Sequence, residues 1–162
     1  MLIRRFNFLI PFCLLLAACQ TIPEYPAIPS ISYGSAYFQE FPQTDYIFLS
    51  VNFKDGDGDL GLDSEDLPSR DSADRFNIFP VLLRKNGDTY DTLREISYAG
   101  TFPRLRESSV AGPIEGTLQY KLGSLNFFNE DSSIAKIRIY IRDRAGNTSN
   151  IIETPPFPVV YK

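Results

Sequence analysis

Among its 162 residues the chain has no histidine, no tryptophan and only two cysteines. Without histidine, a serine triad or a papain-like dyad lacks its usual base, and the common histidine-ligated zinc sites are excluded. Basic clusters are missing too. The arginines are scattered and the acidic residues outnumber the basic ones, which argues against a nucleic-acid partner. The body of the chain shows no convincing helical stripe of apolar side chains. Its aromatic residues are 9 tyrosines and 13 phenylalanines. In strands such residues are mostly core, so they do not by themselves mark a carbohydrate platform.

The N-terminus stands apart from the rest. Arg4 and Arg5 precede a mainly apolar run from Phe6 to Ala18. This run falls short of the ~20 apolar residues a membrane-spanning helix needs and suits a signal-peptide core. It ends Leu16-Ala17-Ala18-Cys19, a tetrad that resembles the lipobox of bacterial lipoproteins. The resemblance implies a cleaved leader, residues 1–18, and a lipid on Cys19 as the first mature residue. Cys13 then leaves with the leader, and no thiol remains for a disulfide. Acyl chains contribute ~0.8 kcal/mol per buried methylene, so several together anchor firmly to a membrane. Residues 19–31, with Pro23, Pro26 and Pro29, favour an extended, semi-rigid tether. The resulting expectation is a bacterial cell-envelope protein. No acidic run follows Cys19, which favours an outer-membrane anchor facing the periplasm over exposure at the cell surface.

Residues 32–162 have the length of one domain. Setting aside Arg4 and Arg5 leaves 14 basic residues against 20 acidic ones, a net charge of −6. Period-two alternation marks half-buried strands. In "DYIFLSVNF" it puts Ile47, Leu49, Val51 and Phe53 on one face. In "IAKIRIYIRD" it sets Ile137, Ile139 and Ile141 opposite Lys136, Arg138, Tyr140 and Arg142, and "GTLQYKL" alternates in the same way. Asn86-Gly87 reads as a two-residue hairpin turn, and "DRAGN", Asp143 to Asn147, as a second hairpin with Gly146 in the left-handed position. Pro155, Pro156 and Pro158 make the last strand an edge. The predicted strands lie near 35–41 and at 46–53, 77–85, 88–93, 117–123, 134–142 and 150–160, with 96–116 ambiguous. About seven short antiparallel strands with frequent turns predict an all-β sandwich. The pattern resembles immunoglobulin-like or fibronectin-type-III-like bacterial domains, whose last hairpin "RDRAGNTSN" looks like; a small closed barrel is the alternative.

"FKDGDGDLGLDSED", residues 53–66, packs six carboxylates into the twelve positions from Asp55 to Asp66. The connection to the next strand exceeds twenty residues, and loops beyond about 12–15 are usually functional or disordered. Asp55, Asp57 and Asp59 alternate with Gly56 and Gly58, so successive carboxylates can converge while the glycines let the backbone bend. Asp63 and Asp66 sit at the offsets of positions nine and twelve of an EF-hand loop, although Leu60 occupies the position of its glycine. The loop looks like a DxDxD calcium loop on a β-domain, and "DGDGDLG" after a strand is similar to an element of bacterial lipoproteins. Oxygen ligands suit calcium, and the mature chain offers no histidine or thiolate to softer metals. The expected ligands are Asp55, Asp57 and Asp59, then Asp63 and Asp66. Glu65 is out of step. In an immunoglobulin-like sandwich this loop shares an end with the final hairpin, so Asp143 and Asn147 are expected to approach it as ligand or supporting group. A solvated acidic loop is the bland reading.

The function expected from these features is a lipid-anchored binding or structural module, stiffened by calcium, in contact with an envelope protein or a glycan. It is not expected to be an enzyme. The competing readings are a small glycan hydrolase using paired carboxylates and an accessory subunit of an envelope assembly. Arg138, Tyr140 and Arg142, and the stretch "TFPRLRESS" with Phe102, Arg104 and Arg106, are secondary candidates for contact.

Overall fold

A computed structural model describes residues 23–67, 72–93, 97–107, 110–123 and 133–160. The leader 1–18 and the lipidation site Cys19 lie outside the described residues. Among the described residues eight strands form: β1 Ser30–Gln39, β2 Tyr46–Asp55, β3 Ile78–Asn86, β4 Thr89–Thr92, β5 Ile114–Gly123, β6 Ser133–Ile141, β7 Ile152–Glu153 and β8 Phe157–Val159. A 3-10 turn, Ser72–Arg75, precedes β3. One sheet has the order β1-β2-β5 and the other β4-β3-β6-β7, with β8 also pairing with β6. Every pairing is antiparallel. The two antiparallel sheets pack against each other as an all-β sandwich.

Alternation builds the core. Ile47, Leu49, Val51 and Phe53 of β2 are buried, as are Ala135, Ile137, Ile139 and Ile141 of β6. The inner faces of the two sheets meet through these side chains together with Ile31, Ile78, Leu82, Leu118 and Leu122. Burying each large aliphatic side chain stabilises the fold by about 1.5–3 kcal/mol, which makes this double layer the main cohesive force.

Four details differ from the sequence expectation. Strand β1 starts at Ser30 and its Ile31 enters the core, so the strand begins inside the expected tether. Even Tyr25 and Pro26 touch the domain: the Gly56 amide donates to the Pro26 carbonyl at 2.9 Å, and the Tyr25 hydroxyl to Glu115 at 2.7 Å. The first hairpin turn is Gly87-Asp88, because Asn86 still pairs with Thr89. The last strand is divided into β7 and β8 around Thr154, whose hydroxyl and amide pair with the backbone of Ile137 in place of a regular ladder. In the ambiguous stretch, the described residues before β5 hold one isolated bridge, Gly100 to Ile78.

Two asparagine side chains stand in for backbone pairing. Asn150 donates to the Ile31 carbonyl and accepts from its amide, at 2.9 and 2.8 Å, joining β1 to the rim of the opposite sheet. Asn77, 1 % exposed, makes the same two-way bond with Phe102 at 2.9 Å each way. This bond holds the segment 97–105 against the start of β3 and drops Phe102 and Tyr98 into the core. Asn77→Ala leaves the buried Phe102 amide without its acceptor and is expected to cost about 1–3 kcal/mol of stability, measured by urea denaturation.

Candidate metal centre

The period of β2 runs one step beyond its apolar residues. After Ile47, Leu49, Val51 and Phe53, the next inward position is Asp55, which is 0 % exposed. The chain then turns along a path open only to glycine at three points, the first being Gly56, where a Cβ would collide with the Tyr25 carbonyl. Gly58 has φ 75° and passes the Gly112 carbonyl, while Gly61 has φ 94° and passes the Pro103 carbonyl; a Cβ at either would collide with that backbone. Leu60 and Leu62 are buried and pin the loop from within. The Leu62 amide donates to the Phe102 carbonyl at 3.0 Å, and the Leu105 amide to the Leu60 carbonyl at 3.3 Å. These contacts hold residues 55–62 in place.

This path gathers Asp55, Asp57 and Asp59, with one carboxylate oxygen of each lying within 4.8 Å of the others. The three are close enough to hold a metal ion. The hairpin after β6 closes over them. Its Ala145 amide donates to Asp59 Oδ2 at 2.9 Å, and the Arg144 amide to the Asp59 carbonyl at 3.4 Å. Asp143 is 2 % exposed and near enough for its charge to act on Asp55 and Asp59. The carboxylate of Asp143 accepts from the Asn147 amide and from Asn147 Nδ2, at 2.7 and 2.8 Å. Asp143 therefore caps its own turn and also faces the cluster, while Asn147 acts by holding Asp143. Gly146, at φ 94°, lets the turn close.

The electrostatics are unbalanced. Both oxygens of Asp55 and Oδ1 of Asp59 are buried with no hydrogen-bond partner among the described residues. Burial, followed by the charges of Asp57 and Asp59, pushes the Asp55 carboxyl up to about 7. Burial and the charges of Asp143 and Asp57 also raise Asp59, against a smaller opposing pull from the Ala145 amide and Arg144. Asp55 is buried, Asp59 half-buried and Asp57 exposed, and a carboxylate as dry as Asp55 with others this close holds either a proton or a cation.

Asp63 and Asp66 lie elsewhere. Both face Arg104, which grips Asp66 through Nε and an Nη at 3.0 and 2.6 Å and lies 3.3 Å from Asp63. The guanidinium holds the Asp66 carboxyl down to about 2. The EF-hand offsets fail because the backbone turns at Gly61, buries Leu62 and then closes a separate turn, in which the Asp66 amide donates to the Asp63 carbonyl at 3.0 Å. Glu65 is exposed. The partners missed from sequence are Arg104 and the Arg144-Ala145 amides. "TFPRLRESS" signalled the first only as a surface loop. Phe102 is in fact buried, and Arg106 donates to the carbonyls of Gly112 and Pro113 at 2.8 and 2.9 Å. The outward row on β6 is also engaged internally: Arg138 pairs with Glu153, Arg142 with Asp74, and Tyr140 stacks on Phe79 at 4.6 Å.

The raised Asp55 carboxyl makes a signed prediction for the metal-free protein. Its value in the fold is about 7, against ~3.9 in an unfolded chain. The folded state therefore keeps a proton that the unfolded state has released, a contribution complete below pH ~4 and lost as pH rises through 7. In a chelating buffer the melting temperature is expected to fall between pH 5 and pH 8, and Asp55→Asn to flatten that fall. A metal-free wild type that gains stability across the same interval contradicts this account of Asp55.

No protein-family model matches the chain and no curated protein matches it, so the chemistry of the site rests on its own geometry.

Proposed function

We propose that the Asp55, Asp57 and Asp59 cluster binds calcium and that the ion stiffens one end of a non-enzymatic, lipid-anchored module of the bacterial envelope. One observation carries the reading: the Asp55 carboxylate is fully buried, receives no hydrogen bond from a basic or amide group among the described residues and is surrounded by other carboxylates. A divalent cation turns that mutual repulsion into attraction. Calcium is favoured over softer metals because the donors are oxygens alone, and over magnesium because it accepts many oxygens in flexible geometry. Asp55, Asp57 and Asp59 would ligate, with Asp143 adding negative charge behind them. Asp63 and Asp66 are left out of this ligand set, being paired with Arg104.

Convergence on one point also separates this reading from a hydrolase, which needs two carboxyl groups facing each other across a cleft with room for a substrate between them. A groove of about 530 Å³ on the outer face of the three-stranded sheet carries one carboxylate, Glu115, among its lining residues. For the partner, the same face offers a chemically distinct patch at the other end of β2. Tyr37 and Phe48 stack at 5.2 Å, Phe41 and Tyr46 adjoin them, and Tyr37 is 51 % exposed. Such a patch suits contact with an envelope protein or a glycan. The membrane anchor itself rests on the lipobox-like Leu16-Ala17-Ala18-Cys19.

Calcium titration with thermal melting tests the ion. An extracytoplasmic calcium site has a dissociation constant of order 10⁻⁴–10⁻³ M. Calcium at ten to a hundred times that value is expected to add about 1.4–2.7 kcal/mol at pH 8. Asp55→Asn is expected to abolish the calcium response while raising the metal-free melting temperature at that pH. Melting indifferent to millimolar calcium, with the fold intact, removes the ion from the function. For the anchor, metabolic labelling with a fatty acid is expected to tag the wild-type chain and to fail for Cys19→Ser, which should leave the membrane fraction. An unlabelled wild type rejects the anchor.

A further inference from the structure

A strand at the edge of a sheet presents unpaired backbone groups to any other strand, and proteins blunt such edges with bulges, short strands, prolines or covering segments. The two sheets here have four edges, β1, β5, β4 and β7 with β8. Three are blunted. Strand β1 carries a register shift between Tyr33 and Ser35 and is clamped by Asn150 to the opposite sheet. Strand β4 has only four residues. Strands β7 and β8 are two and three residues long, separated by Pro155 and Pro156, and β8 contains Pro158.

Among the described residues strand β5 has none of these devices along its backbone, and Tyr25 reaches it only through the Glu115 side chain. The strand runs for ten residues, Ile114–Gly123, pairs with β2 along its whole length without a register shift, and contains no proline. Among the described residues, no backbone hydrogen bond reaches β5 from the side away from β2.

We propose that β5 pairs antiparallel with β5 of a second copy of this chain, about a two-fold axis at Leu118, joining two three-stranded sheets into one of six strands. The sequence of the strand complements itself in this register. Glu115 falls opposite Lys121 of the second copy, and Lys121 opposite its Glu115. Thr117 meets Gln119, and Leu118 meets Leu118. A two-fold contact of this kind is closed, so it ends at a dimer. Faces also match. Glu115, Thr117, Gln119 and Lys121 are the exposed side of β5, while Leu118 and Leu122 are buried, and the pairing sets exposed residues against exposed ones. Moving the register by two residues loses both charge pairs: centred on Gln119 it puts Glu115 against Gly123, and centred on Thr117 it puts Glu115 against Gln119. An in-register parallel pair would set Glu115 beside Glu115. Opposite charges directly across a strand pair stabilise it and like charges destabilise it, so the register about Leu118 is the one the strand selects.

Zero-length carbodiimide coupling tests this on the full chain in detergent, with micelles in large excess. Within one chain, Glu115 and Lys121 lie about 20 Å apart along the extended strand, too far for a direct amide bond. A Glu115–Lys121 cross-linked peptide from a covalent dimer, identified by mass spectrometry, is therefore intermolecular and is the expected result. Glu115→Lys and Lys121→Glu should each give monomers by sedimentation, since each places two like-charge pairs across the axis. Mixed together, the two variants should form a heterodimer, with both complementary pairs restored. Both sites are exposed, and a melting curve confirms that each variant is folded. A monomeric wild type, or a dimer that lacks this cross-link and ignores both charge reversals, overturns the proposal.

Discussion

A carboxylate buried at the end of a core strand governs this architecture. Asp55 continues the inward phase of β2, so the alternation that builds the hydrophobic layer delivers a charge into its rim. Nothing in the apolar interior can solvate it. The neighbours that reach it, Asp57, Asp59 and Asp143, bring more negative charge. The fold survives this because the site lies at the margin of the core, where a proton or a cation can enter and restore the balance. Calcium binding, as proposed, follows from that constraint more than from any resemblance of the loop to a known motif.

The twelve residues from Asp55 to Asp66 divide into two electrostatic units of opposite character. Asp63 and Asp66 are neutralised by Arg104, and the carboxyl of Asp66 is held low. Among the described residues Asp55 has no such partner and Asp59 has only the weaker pull of the Ala145 amide and Arg144, and both carboxyls are pushed up. The boundary between the units is Gly61-Leu62, where the chain turns with a positive φ and anchors in the core. One half of the acidic stretch thus ties the loop to the 97–105 segment, and the other half leaves both oxygens of Asp55 and Oδ1 of Asp59 without a hydrogen-bond partner among the described residues. Arg104 consequently supports the site at a distance: the segment that carries it also lies against Gly61 and receives the amide of Leu62.

Much of the remaining organisation comes from polar side chains doing the work of backbone. Asn77 and Asn150 each present an amide group that donates and accepts like one residue of a strand. Asn147 and Asp143 close the last hairpin in a related way. These clamps let segments outside the regular ladder, residues 97–105 and the start of β1, seal the flanks of the sandwich. The sealing is uneven: among the described residues, no backbone hydrogen bond reaches the outer edge of β5.

The all-β class, the alternating faces, most strand positions and the convergence of Asp55, Asp57 and Asp59 were legible in the sequence. Each depends on local geometry: side chains two apart share a face, and alternating glycines allow a tight bend. The meeting of "DRAGN" with the acidic loop was also legible, since it follows from the strand order of the sandwich. The sequence alone was silent on which acids would find a cation of the protein's own. Arg104 lies 38 residues beyond Asp66, and only the fold brings its guanidinium to that carboxylate and not to Asp55. Nor did residue spacing reveal that Asp55 would be buried without a partner. That depends on what packs over it, a property of the assembled layers, because the Coulomb and solvation energies of a charge are set by its neighbours in space and not along the chain.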